Sequence, residues 1–263
     1  MTPISLDEIP YEITDFLGNV KDIRFPRQGH TSDVGIIQSE RGYFVLKRTK
    51  GEQYCSWLSK EIHVLNCLAP TKLPIPTVFQ FVEQQTENQA WALMEFFEGE
   101  TLRQALGNEK NMNKKLETIF NFGAILSQIH STPCPKGLIR DSVWLDEMLR
   151  QAEVNLNNFK IDGTADLLEI LKDNKLTPIE NTLIHGDFTI DNVLVRDGEI
   201  TSIIDWSGGA LGDPRYDVAL AIRSKPNVFE NETEVRTFFE GYGMRIIGER
   251  EYKYFVDGLY EFF

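Results

Sequence analysis

Positive charge is what this 263-residue chain is short of: 27 lysines and arginines face 40 aspartates and glutamates, a formal charge of −13. Nucleic acid and anionic membrane surfaces need net positive charge to displace their counterions, so neither is expected as a partner. An anionic ligand would need a local site of its own. Cysteine is also scarce. Cys55, Cys67 and Cys134 cannot all pair, and none stands in a C-x-x-C motif. That points to a reducing, cytoplasmic location and away from a structural zinc site. No apolar run approaches the roughly 20 residues that span a bilayer, and Met1 to Glu8 has neither the basic nor the apolar segment of a signal peptide. Internal repeats, low-complexity tracts and long Pro/Gly linkers are missing as well. What is present, 41% hydrophobic and 25% charged residues, is the composition of a globular protein. The length allows one large domain or two modest lobes.

The character of the chain changes near residue 97. Before it, short runs rich in Val, Ile, Phe and Tyr alternate with turn residues and predict strands over Val20 to Arg27, Val34 to Ser39, Tyr43 to Arg48, Thr77 to Glu83 and Ala90 to Phe96. Beyond Gly99 helical periodicity dominates, broken by a β-like stretch between Leu183 and Asp205. The fold class expected is α+β, with a small, mainly β lobe over 1–94, a connector at 95–98 and a larger helical lobe over 99–263.

One helix of the first lobe carries an anomaly. From Gln53 to Ala69, Tyr54, Trp57, Leu58, Ile62, Leu65 and Leu68 recur at the spacing of a buried stripe, and Glu61 falls in the middle of it. A carboxylate aimed at a core is costly unless a cation meets it. Lys47, itself embedded in Tyr43-Phe44-Val45-Leu46-Lys47, is the candidate. The plain alternative is that Glu61 turns out to solvent or meets another cation, and that Lys47 snorkels at a strand edge.

The chemistry-bearing segment is His185-Gly186-Asp187-Phe188-Thr189-Ile190-Asp191-Asn192, followed by an apolar run, Asp197-Gly198, a second apolar run and Asp205-Trp206. Asp197-Gly198 predicts a tight hairpin turn. Centred there, the hairpin puts Arg196 opposite Glu199 and Asn192 opposite Ile203, so Asn192 and Asp205 meet at its open end, with Asp187 in the loop entering it. Taken singly, each of these residues reads as turn chemistry. Together they supply two carboxylates and an amide oxygen, hard donors that suit Mg²⁺, with one carboxylate left to accept a proton from a hydroxyl.

The H-G-D-x-x-x-x-N spacing of His185 to Asn192, with Ile204-Asp205-Trp206 and Gly212-Asp213-Pro214-Arg215-Tyr216-Asp217, resembles the aminoglycoside phosphotransferase and choline kinase-like family. Leu126 to His130 is similar to the helix end that precedes that family's catalytic loop. The resemblance covers about Val20 to Arg223. It implies a two-lobed, protein-kinase-like fold, with ATP or GTP as donor and Mg²⁺ as cofactor. Asp187 would be the catalytic base, and Asn192 and Asp205 the metal ligands. Lys47, paired with Glu61, would contact the nucleotide phosphates. Glu95 and Phe97, in Met94-Glu95-Phe96-Phe97, would meet the nucleotide base through backbone groups. Gln28 to Val34 would form the loop over the phosphates, with Thr31 or Ser32 touching them. That loop departs from G-x-G-x-x-G, no A-P-E follows Asp205, and Asp205 and Gly212 leave no room for a long activation segment. These departures imply a small-molecule kinase.

Structural readings suffice elsewhere. Asp213-Pro214 predicts a helix start, Asp217 either braces the catalytic loop or sits in a first helical turn, and His130 and His185 read as hydrogen-bonded supports. Residues 229–263 hold eight acidic side chains against four basic ones, and Trp144, Asp146 and Glu147 lie on an expected helix. A cationic aminoglycoside-like antibiotic would suit such a surface, although each acid also reads as solvated. The alternatives are a macrolide, choline-like or sugar kinase, a non-catalytic nucleotide-binding module, and a metal-dependent phosphohydrolase that leaves Lys47 and Glu61 unexplained.

Overall fold

The computed structural model describes residues 4–26, 31–223, 229 and 231–263. These divide into two compact units, one comprising residues 1–98 and 202–208, the other 99–201 and 209–263. Among the described residues no helix is long and apolar enough to cross a membrane.

The first unit opens with α1 (Tyr11–Leu17) and builds an antiparallel sheet from β1 (Val20–Arg24), β2 (Asp33–Ser39), β3 (Gly42–Lys50), β4 (Val78–Gln84) and β5 (Gln89–Glu95), in the order β1-β2-β3-β5-β4. β2 is buried at every second residue, the period of a half-covered strand. Ile13, Leu17, Ile37, Phe44, Leu46, Trp91 and Leu93 form the core on the α1 side. The chain then alternates two buried cations. Arg48 follows the Leu46 face, where it bonds Asp33 at 2.7 Å and Glu8 at 2.8 Å and lies 5.4 Å from the Trp91 ring. Lys47, opposite Val34 on β2 and Ala92 on β5, turns to the other face. That face meets α2 (Glu52–Leu68), whose buried stripe is Leu58, Glu61, Ile62, Leu65 and Leu68 with Val64.

The second unit begins with β6 (Glu100–Thr101) and α3 (Leu102–Asn108), which Thr101 caps through a hydrogen bond from the Gln104 N–H. Then come α4 (Met112–Ser131), α5 (Trp144–Asn158) and α6 (Ala165–Asp173). β7 (Thr182–Ile184) leads to the loop that starts at His185, and β8 (Val193–Arg196) and β9 (Glu199–Ile203) close a hairpin. Asp197 and Gly198 both have positive φ, 53° and 84°, as a two-residue turn of matching twist requires. β10 (Ala210–Gly212) pairs antiparallel with β7, and α7 (Pro214–Ala221) starts at an Asp213 cap followed by Pro214. α8 (Glu232–Tyr242) and α9 (Glu249–Val256) follow.

The end of β9 departs from the expected division. Ser202 to Gly208 groups with the first unit, and the Ile203 N–H bonds the Pro74 carbonyl at 2.8 Å. Asp205 therefore shares a unit with Lys47, whereas the expected boundaries put it in the 99–263 lobe.

α4 is the spine of the second unit, buried at Ile119, Phe122, Ile125, Leu126 and Ile129. α8 crosses it backbone to backbone. A Cβ on Gly123 would lie 2.0 Å from the Phe238 carbonyl oxygen, and one on Gly241 would lie 2.0 Å from that of Phe120. Gly123→Ala is therefore expected to lower unfolding free energy by about 2–3 kcal/mol, the cost of overpacking a tight contact. Gly107→Ala, where an added methyl meets nothing within 4 Å, should leave stability unchanged or slightly raised. Thermal unfolding of the two variants checks both; equal melting temperatures would contradict the close crossing.

Candidate active site

Two constellations carry chemistry, one in each unit. In the first, the Lys47 ammonium meets both oxygens of Glu61, at 2.8 and 3.0 Å, and the carboxylate of Asp205. The Asp205 backbone N–H also donates to Glu61. Burial alone would lower the Lys47 pKa; the two carboxylates outweigh it and hold the ammonium above its ordinary value, so it stays charged. Glu61 is pushed up, first by its burial, with Lys47 opposing and Asp205 adding to the shift. One positive charge thus faces two acids, and the cluster is short of positive charge. Asp205 is the half-exposed member, with 45% of its side chain accessible, on a backbone held at φ 63°. Trp206 fixes that turn, donating its Nε1 hydrogen to the Ile203 carbonyl at 2.9 Å.

In the second unit, Asp187 and Asn192 come together at the loop between β7 and β8. Asn192 Nδ2 donates to the Asp187 carbonyl and to its Oδ2, both at 2.8 Å. This commits the amide nitrogen and presents Asn192 Oδ1 as its acceptor end. The loop is held from below by Asp217 on α7, wholly buried, which accepts from the backbone N–H of His185 at 2.6 Å and of Gly186 at 2.8 Å. His185 Nδ1 in turn accepts from the Asp187 N–H at 3.2 Å. His130, at the end of α4, lies 3.4 Å from Asp217 and 2.8 Å from the Tyr242 hydroxyl. Both histidines are supports, as their sequence context suggested. Burial and the Asp187 charge raise the pKa values of both Tyr216 and Tyr260.

Asn192 Oδ1 and the Asp205 carboxylate are the kind of hard oxygens a magnesium ion takes, and the excess negative charge at Lys47 suits a divalent cation. The donor chemistry therefore fits Mg²⁺.

The other expected site residues lie as follows. Thr31 is exposed, Ser32 half-buried, and Val34 sits beside Lys47 in the sheet; Gln28 to His30 are outside the described residues. Glu95 ends β5, its N–H bonded to the Thr77 carbonyl at 2.9 Å and its carboxylate to the Thr77 hydroxyl at 2.7 Å. Phe97 follows it, half-buried. Part of the acidic surface is redirected. Trp144, read as a possible wall of a substrate site, is buried against Tyr216 and Phe255; its place in the first turn of α5 points it into the core. Glu234 is buried with Lys115 at 2.8 Å, and Asp146 and Glu147 pair with Lys175 and Arg150. Sequence reasoning missed Tyr260, whose pKa the Asp187 charge helps to raise: the segment reads as terminal packing, and its acid, Glu261, counts only with the acidic surface.

Comparison with known proteins gives a concordant picture. A profile of the phosphotransferase enzyme family matches residues 22–255. An aminoglycoside 3′-phosphotransferase of Enterococcus faecalis is 28% identical over 196 residues, 70% of this chain and 72% of the relative. Among solved structures, the streptomycin–ATP ternary complex of APH(2″)-IIa superposes with a TM-score of 0.66 at 19% identity, covering 93% of this chain and 86% of the other. The GDP complex of an aminoglycoside 2′-phosphotransferase variant gives 0.67 at 17% identity, covering 93% and 84%. At these identities the structures establish the shared fold.

Asp217→Asn would set an amide N–H against a backbone N–H of His185 or Gly186. It is expected to cost about 2–3 kcal/mol, as leaving a buried donor without an acceptor does. Asp191→Asn, which loosens the more exposed pair with Arg103 at 2.6 Å, should cost less than about 1 kcal/mol. Chemical denaturation ranks the two; a milder effect at Asp217 would contradict the brace.

Proposed function

The chain belongs to the phosphotransferase enzyme family, and from that premise we propose that it transfers the γ-phosphate of ATP or GTP to a hydroxyl of a cationic, aminoglycoside-like antibiotic. The observation that carries the reading is the ammonium of Lys47 shared between buried Glu61 and half-exposed Asp205. A structural ion pair needs only one of these acids. The second adds repulsion that raises Glu61, an arrangement that makes chemical sense when phosphate oxygens and a cation join the cluster.

In this reading Lys47 contacts the nucleotide phosphates, and backbone groups at Glu95 and Phe97 meet the base. Thr31, Ser32 and Val34 belong to the loop over the phosphates. Asn192 and Asp205 would hold Mg²⁺, whose charge would neutralise the phosphates. Asp187 orients the acceptor hydroxyl and takes its proton as the oxygen bonds to the γ-phosphorus; the bond to the β-phosphate oxygen breaks, and the nucleoside diphosphate leaves. Asn192 and the Asp217-braced loop keep the carboxylate in place. The acidity of the chain favours a polycationic acceptor. The cysteines, free among the described residues, accord with a cytoplasmic setting.

Asp187→Ala tests the reading. With kanamycin, streptomycin and hygromycin B as acceptors and magnesium with ATP or GTP as donor, transfer should fall by about 10²–10⁴-fold, the scale of a lost general base. The nucleotide-induced rise in melting temperature should persist. Transfer equal to wild type would reject the assignment. Nucleotide binding without transfer to any alcohol would favour a binding module, and transfer confined to choline or homoserine would move the acceptor class.

A further inference from the structure

Asn192 closes a four-residue turn, its N–H bonded to the Thr189 carbonyl at 3.1 Å. Both central residues of that turn are held by Arg103, the second residue of α3. A backbone N–H at that place in a helix has no intrahelical acceptor, and the one of Arg103 goes to the Ile190 carbonyl at 3.0 Å. The guanidinium meets Asp191 edge-on, Nε donating to Oδ1 and Nη2 to Oδ2, each at 2.6 Å. Two parallel charge-assisted bonds fix the orientation of the carboxylate as well as its distance. The segment that carries Arg103 also holds the chain on the far side of Asn192, because Glu100 and Thr101 of β6 pair with Val195 and Leu194 of β8. Asn192 is thus bracketed: the turn before it and the strand after it are fixed to the same piece of chain.

Folding stability gives little reason for the clamp. Arg103 and Asp191 keep 29% and 49% of their side chains accessible, and ion pairs so exposed contribute little. The Asp217 brace acts at the other end of the loop, on His185 and Gly186. What the clamp does bear on is the Asn192 amide, whose Nδ2 is committed to Asp187 and whose Oδ1 is its acceptor end. Taking Asn192 as a magnesium ligand, as proposed above, we infer that Arg103 is a positioning residue for it: by clamping Asp191 it fixes the direction in which Asn192 Oδ1 points. Magnesium demands near-ideal octahedral geometry, so a ligand free to swing binds it less tightly. A lysine cannot replace the fork, since it offers one point of charge where Arg103 makes two parallel bonds.

Two measurements test this, neither of them turnover. In the metal-free protein, the Asn192 side-chain amide signals in a nitrogen–proton correlation spectrum, identified by their loss in Asn192→Ala, should shift in Arg103→Ala and in Asp191→Ala. In the protein loaded with ADP or GDP, manganese binding, read from the loss of the free-ion electron paramagnetic resonance signal, should weaken about tenfold in each, the low end for groups outside the ligand shell. The Arg103→Ala/Asp191→Ala double variant should bind no more weakly than either, as two halves of one contact require. Arg103→Lys should recover only part of the loss, and melting temperatures should stay close to wild type. Amide signals that stay in place in Arg103→Ala overturn the inference, as does undiminished manganese affinity or a double variant in which the losses multiply. If Asn192→Ala itself binds manganese like wild type, Asn192 is not a ligand, and the inference falls with that reading; a loss confined to Asn192→Ala sinks the inference alone.

Discussion

A charged ammonium that cannot leave the protein interior is the constraint around which the first unit is organised. Lys47 lies on the middle strand of a five-stranded sheet, buried to 8% exposure, and remains charged because two carboxylates reach it. Each comes from a different part of the sequence. Glu61 is delivered by the helical period of α2, which would otherwise demand an apolar residue at that position. Asp205 is delivered by a stretch far along the chain that packs with the first unit. Removing either acid alters the electrostatic balance of the other two groups, so the three behave as one element.

The second unit solves a complementary problem, that of holding a loop of polar backbone firmly without regular secondary structure. Asp217 takes two consecutive backbone hydrogens, His185 accepts from a third, and Asn192 ties the far end of the loop to Asp187. All these bonds are short range in geometry but join α7, β7 and the entry to β8. A buried acid saturated by backbone N–H groups is well suited to such work, because it cannot rotate away without leaving donors unpaired. The Asp213 cap and Pro214 that start α7 set the height at which Asp217 arrives.

Much of this was legible in local pattern. Runs rich in Val, Ile, Phe and Tyr between turn residues placed the strands, period-3.6 patterning exposed Glu61 as an intruder in an apolar stripe, and Asp197-Gly198 announced the hairpin turn. The spacing of Asp187 and Asn192 placed them together because a few residues of loop cannot separate them far. What escaped was long range. Arg48 closes the strand expected over Tyr43 to Arg48 and nothing in its local pattern marks it as buried, yet it is wholly buried against Asp33 and Trp91, a consequence of alternation that assigns consecutive cations to opposite faces. Trp144 read as a possible recognition residue and is core, because its helix begins one side chain into the Tyr216–Phe255 packing. Tyr260, whose pKa the Asp187 charge helps to raise, stands 73 positions from it in a terminal segment that reads as aromatic packing.

The claim most exposed to experiment is that the ammonium held by Glu61 and Asp205 is the group that receives nucleotide phosphates. Equilibrium binding of magnesium–ATP and magnesium–GTP to folded Lys47→Met protein, verified as native by circular dichroism, addresses it directly. Affinity for the preferred nucleotide is expected to fall by about tenfold to a hundredfold, the worth of a hydrogen bond between charged partners. Undiminished affinity would contradict it.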